Sequence, residues 1–162
     1  MLMRHAKSDR SDPAAVDFER PLTGRGRKAV APMARWLRKE GFEPDLILSS
    51  PAVRARETAL VLAHELDVRK SEIAWDERIY DADVGTLLEV IGGRKETDLL
   101  LVGHNPGFDD LLSHLCSEPP PRDGEGKLLT TAAIAVLEFD GPVGTRAGCA
   151  RLAALKRPKD PD

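Results

Sequence analysis

Leu99-Leu100-Leu101-Val102 runs straight into Gly103-His104-Asn105-Pro106-Gly107. Four consecutive apolar residues without polar alternation describe a strand buried on both faces, as in a parallel sheet. The Gly, Asn and Pro that follow stop the strand and turn the chain. Phe108 to Leu115 then repeats apolar residues at helical spacing. A buried strand, a breaker and an immediate helix make half of a β–α–β unit. The same order stands upstream, where Leu46-Ile47-Leu48 leads through Ser49-Ser50-Pro51 into a helix predicted over Val53 to Leu66.

Working outward, Leu2-Met3 is a short apolar stub that reads as a first strand. Thr23 is placed to cap a helix from Gly24 to Glu40, with Val30, Met33, Ala34 and Leu37 on one face and Gly41 as its stop. Pro32 inside that helix predicts a kink or a weak first turn. Ile73-Ala74-Trp75, Ala132 to Phe139 and Cys149 to Leu155 read as further strands, and Val84 to Ile91 as another helix. Strand and helix alternate through most of the chain. The expected fold class is therefore α/β, a three-layer α/β/α sandwich with a mostly parallel central sheet and helices on both faces. Residues 1–156 form a single domain in this reading, with 157–162 a frayed polar tail, and Glu118 to Gly126 an exposed proline-rich loop.

Composition narrows the function. The chain has 162 residues, enough for one core. Lys and Arg total 24 against 27 Asp and Glu, giving a net charge of −3. That balance gives no bulk attraction to nucleic acid or to an anionic membrane. No apolar run has the length of a membrane helix, and no secretory h-region is visible, so a cytoplasmic protein is expected; a monomer is the expected state. Cys116 and Cys149 are too few for a disulfide framework and have no metal-type spacing. His64 and His114 belong to no metal-ligand spacing either, and Trp36, Trp75 and Phe108 read as core.

Three strand ends carry unusual chemistry. The first is followed by Arg4-His5-Ala6-Lys7-Ser8, the second by Ser49-Ser50-Pro51 and Arg54, the third by Gly103-His104-Asn105. In a parallel sheet these ends meet at one edge, where ligands of open α/β sheets bind. Guanidinium groups match phosphate oxygens with paired planar donors and stay charged. A neutral imidazole can attack phosphorus through one ring nitrogen while the other holds a proton. Taken singly, each residue has a structural reading: a strand-end histidine is more often structural, and an arginine in a first helical turn is usually solvated. The joint occurrence at three ends points to a phosphoryl group.

The ordered set resembles the histidine phosphatase superfamily, the phosphoglycerate mutase-like fold, and within it the SixA-type phosphohistidine phosphatases. Arg4-His5 resembles its Arg-His signature; Arg20-Pro21-Leu22-Thr23 with Gly24 and Gly26 resembles the segment opening the first helix. Ser49-Ser50-Pro51 with Arg54, Ala55 and Thr58 is similar to the second motif, Val102 to Pro106 to the third, and Leu129 to Ile134 to the last-quarter segment. The resemblance implies His5 as nucleophile, forming a phosphohistidine intermediate, with Arg4, Arg54 and His104 binding the phosphoryl oxygens. Ser8 and Asn105 are further phosphate-binding candidates at the mouth. No metal or organic cofactor is implied. Ala6 stands where larger members often carry Gly.

The superfamily often supplies a carboxylic acid for the leaving group between the second and third motifs. Of Glu77, Asp81 and Asp83, Asp81 after Tyr80 is the candidate here. The elements nearly exhaust the chain, leaving few residues for a lid, and an open pocket suits a side chain carried on another protein. The expected partner is a phosphohistidine-bearing protein. A small phosphorylated metabolite, or a non-catalytic phosphate-binding module, is the alternative.

Overall fold

The computed structural model describes residues 1–160; Pro161 and Asp162, the end of the expected tail, lie outside the described residues. The strands are Leu2–Arg4 (β1), Leu46–Ser49 (β2), Ile73–Trp75 (β3), Leu99–Gly103 (β4), Ile134–Phe139 (β5) and Ala150–Lys156 (β6). The helices are Gly24–Lys39 (α1), Val53–Glu65 (α2), Val84–Gly92 (α3) and Gly107–Leu115 (α4). One six-stranded sheet has the order β3-β2-β4-β1-β5-β6. β3, β2, β4 and β1 are mutually parallel, while β5 runs antiparallel to both β1 and β6.

The period of two along each strand builds both halves of the core. In β4, Leu100 and Val102 pack under α1 and α2 with Met3, Val30, Met33, Leu37 and Leu62. Leu99 and Leu101 point the other way, toward Leu87, Phe108, Leu111 and Leu112 of α3 and α4. The sheet is therefore covered on both faces, as an α/β sandwich requires.

Register fixes where the strand ends lie. Arg4 pairs with Gly103, and Ser49 with Val102. The ladder carries one step further, with His5 N–H donating to the Gly103 carbonyl at 2.9 Å and Ser50 N–H to the Val102 carbonyl at 3.1 Å. His5, Ser50 and His104 thus leave the sheet at one level.

Thr23 caps α1, its Oγ1 accepting from Gly26 N–H at 2.9 Å. The helix runs unbroken through Pro32, which is exposed, so water can satisfy the Lys28 carbonyl that proline leaves without a donor. The expected strand from Ala132 begins at Ile134 instead, because Ala132 has φ +65° and turns its N–H onto the Arg4 and His5 carbonyls. Trp75 is not core. It ends the edge strand β3, is 41% exposed, and lies under the Arg56 guanidinium at 5.6 Å. The first residues of the polar tail are tied down, since Arg157 Nε donates to the Leu128 carbonyl at 3.1 Å.

Candidate functional site

Beyond β1 the chain bends across the start of α2. Ala6 N–H donates to Thr58 Oγ1 at 3.1 Å, and that hydroxyl donates to the Arg54 carbonyl at 2.7 Å. The Ala6 methyl is fully buried in the α1/α2 core. This bend buries His5 and aims its ring back at its own chain: His5 Nδ1 lies 2.7 Å from the Ala6 carbonyl. A carbonyl only accepts, so Nδ1 carries the proton and Nε2 keeps its lone pair. Burial pushes the His5 pKa down to about 4, opposed by the Ala6 carbonyl and reinforced by Arg54, Arg4 and Arg20. At neutral pH this imidazole is uncharged.

His104 faces it, with ring centroids 5.1 Å apart. His104 Nε2 is 2.9 Å from Ser50 Oγ, while its buried Nδ1 has no protein partner. Burial, then the neighbouring His5 and Arg54, push its pKa down to about 3.

Arg54 comes from the first turn of α2 and is buried. Its Nε donates to His5 Nε2 at 3.3 Å. Its Nη1 donates to the Asp17 backbone carbonyl at 2.6 Å, and its Nη2 to Asp17 Oδ2 at 2.8 Å. Arg4 donates from Nη1 to the Leu129 carbonyl at 2.9 Å, and its buried Nε is free of protein partners. Asn105 Nδ2 donates to the same carbonyl at 3.1 Å. Ser8 is buried and bridges to Leu22, closing the base of an exposed loop, residues 9–20.

Of the residues singled out from sequence, His5 is in direct contact with both His104 and Arg54, and Arg4 and Asn105 converge on the Leu129 carbonyl. Asp81 is set apart. It is exposed, has φ +51°, and makes no hydrogen bond or ion pair with His5 or His104 among the described residues. The carboxylate against Arg54 is Asp17, which also accepts from Tyr80 Oη at 2.9 Å and pairs with Arg20. Tyr80 in turn sets its ring edge-on to His104, 5.5 Å between centroids. Asp17, Ser50 and Tyr80 were missed as site residues. Ser50 carried a usable signal, since it follows an apolar strand as directly as His5 does. Asp17 lies in a short 3-10 turn, Asp17–Glu19, with no periodicity to mark it.

An apolar cavity lined by Met1, Phe42, Leu99 and Phe139 lies at the opposite, amino edge of the sheet. Among the described residues, no cluster of three or more His, Cys, Asp or Glu could hold a metal ion. No helix among them is long and apolar enough to cross a membrane.

A sandwich that gathers neutral imidazoles and guanidinium groups at the carboxyl edge of its sheet is built for phosphoryl chemistry, and the chain is a phosphatase. Residues 1–90 match the model of the histidine phosphatase superfamily (branch 1), and the chain belongs to that family. It is 32% identical to phosphohistidine phosphatase SixA of Escherichia coli (strain K12) over 143 residues, covering 86% of this chain and 84% of that one. An uncharacterized protein of Mycobacterium tuberculosis (strain ATCC 25618 / H37Rv), Rv1276c, is 36% identical over 97% of this chain and its own full length. Among solved structures, SixA from Agrobacterium tumefaciens superposes with a TM-score of 0.80 at 27% identity, covering 96% of this chain and 95% of that one. The protein histidine phosphatase SixA complexed with tungstate gives 0.75 at 27% identity, covering 97% and 95%.

Proposed function

We propose that this chain hydrolyses protein phosphohistidine in two displacements through His5. The observation that carries the reading is the tautomer of His5. With Nδ1–H held by the Ala6 carbonyl, Nε2 presents its lone pair beside Arg54 Nε. In the first step Nε2 bonds to phosphorus as the P–N bond of the substrate breaks, and the leaving imidazole takes a proton from solvent. In the second, the oxygen of a water bonds to phosphorus, the electron pair of the Nε2–P bond returns to His5, and phosphate leaves as the water's proton passes to solvent.

Arg4 and Arg54 supply positive charge to the phosphoryl oxygens without a metal ion. Ser50 Oγ accepts from Ala52 N–H at 3.3 Å, and in this reading it gives its own proton to His104 Nε2, 2.9 Å away. The His104 proton then sits on Nδ1, as a neutral donor toward a phosphoryl oxygen. Asn105 and Ser8 remain the further candidates for phosphate contact in this reading. A histidyl leaving group protonates readily, which fits a site where the carboxylate against Arg54, Asp17, is already engaged by two arginines and a hydroxyl. The similarity to SixA phosphatases, one of them holding the oxyanion tungstate, supports the same substrate class.

The test is phosphate release, in excess chelator, from a phosphohistidine-bearing carrier protein and from p-nitrophenyl phosphate, with wild type and His5→Ala side by side. Turnover of the carrier that vanishes in His5→Ala is the expected result. Turnover of the small ester alone moves the assignment to a metabolite phosphatase. Phosphate binding without turnover makes the chain a binding module.

A further inference from the structure

Asp17 belongs to none of the motif residues, yet it holds both ends of the Arg54 fork. A guanidinium has two edges that can grip a partner: the end-on edge, Nη1 with Nη2, and the side-on edge, Nε with Nη2. Asp17 takes the end-on edge, with its backbone carbonyl on Nη1 and its Oδ2 on Nη2. The Nε corner of the side-on edge faces His5, 3.3 Å from Nε2, while Nη2 gives one of its two N–H groups to Asp17. Asp17 is itself held in place. Tyr80 Oη donates to Oδ2, Arg20 pairs with Oδ1, and Phe18 next to it packs edge-on against Tyr80 at 5.0 Å.

We infer that Asp17 is a positioning residue for the reaction: by occupying the end-on edge of Arg54 it commits the side-on edge to the phosphoryl group carried on His5. The inference rests on the proposed phosphatase reading. Two physical points favour it over a purely structural ion pair. First, the Asp17 side chain is 51% exposed, and a pair with a partner that exposed adds little stability. Second, an arginine has several rotatable bonds, and without Asp17 its fork is free to turn away from the line of attack. A small misplacement of a group that stabilises the transition state costs rate far more than it costs ground-state affinity.

The experiment measures kcat, KM, inhibition by inorganic phosphate and Tm for wild type, Asp17→Ala, Asp17→Asn and Glu19→Ala, with His5→Ala as the chemical control. Glu19 is exposed in the same turn and controls for disturbance of the loop. In Asp17→Ala, kcat is expected to fall by about tenfold or more, with KM and phosphate inhibition changed by less than about threefold. Tm and Glu19→Ala stay at wild-type values. Asp17→Asn keeps an amide oxygen for Nη2 and recovers most of the rate. It also carries the test if the alanine variant fails to fold.

An unchanged kcat in Asp17→Ala overturns the inference. So does tighter phosphate inhibition with an equal or higher kcat, which would make Asp17 a competitor for Arg54. A rate loss that follows Tm and is not recovered by Asn overturns it as well, leaving only a structural role. Wild-type inactivity, or full activity of His5→Ala, brings down the phosphatase reading itself and this inference with it. Wild-type turnover that His5→Ala abolishes and Asp17→Ala spares removes this inference alone.

Discussion

His5 and His104 sit at ring distance from each other among arginines, and both are held neutral far below the ordinary histidine range, at about 4 and about 3. An unfolded histidine takes its proton near pH 6.5. Between that value and the folded pKa, the unfolded chain binds protons that the folded chain refuses. Stability is therefore greatest above about pH 6.5 and falls as the pH drops, by about 1.4 kcal/mol per pH unit for each imidazole. Urea unfolding between pH 7.5 and pH 5 should show this loss, and His104→Gln should flatten it. For activity, kcat/KM corrected for substrate ionisation should stay level through pH 6.5 and fall only near pH 5 or below. A break at pH 6.5 would show that the essential imidazole is not held neutral by burial. At this scale the sequence was legible where chemistry is concentrated: an Arg-His pair and a second His directly after buried strands. Asp17 was not, because its partner Arg54 is 37 residues away and an aspartate in an exposed loop looks like any solvated charge.

α4 starts at Gly107, three residues after His104, and its first turn lies against the Ala82 backbone. A Cβ on Gly107 would meet the Ala82 carbonyl oxygen at 2.1 Å, with Leu87 Cδ1 at 3.3 Å. Backbone cannot rotate aside as a side chain can, so α4 must shift away from α3. Gly107→Ala is expected to cost about 1–3 kcal/mol. For a domain of this size that lowers Tm by roughly 2–10 °C. The turnover number should fall too, since the same shift moves the loop that carries His104. Thermal unfolding and kcat on one preparation check both; a Tm within about 1 °C of wild type would refute the packing argument. The helices themselves were readable, because three or four apolar residues per helix declare a face. The 3-10 turns Asp17–Glu19, Lys70–Glu72 and Glu77–Ile79 were not, since three residues are too few to show a period.

Across the molecule, the site has no element of its own. β1 and the residue after it bring Arg4 and His5, α2 brings Arg54, β4 ends one residue before His104, and the loop before α1 brings Asp17. The alternation of strand and helix foretold this convergence, since parallel strands place their carboxyl ends at one edge. It did not foretell the antiparallel pair β5 and β6, although the connection between them, residues 140–149, contains no helix and so cannot be a parallel crossover. A site assembled from separate elements has a thermodynamic signature. An oxyanion bound there ties those elements together in the folded state and has nothing comparable to bind when the chain is unfolded. At a hundred times its dissociation constant, such an anion stabilises the fold by about 2.7 kcal/mol. Tungstate titrated into the protein should thus raise Tm by roughly 5–10 °C. Arg54→Ala should abolish the rise. Arg38→Ala should keep it, because Arg38 pairs with Asp67 beyond the far end of α1. Equal stabilisation of wild type and Arg54→Ala would place the anion elsewhere and dissolve the link between the sheet edge and the chemistry. Loss of the rise in Arg54→Ala with its retention in Arg38→Ala would place the anion at the carboxyl edge of the sheet, on the guanidinium that faces His5.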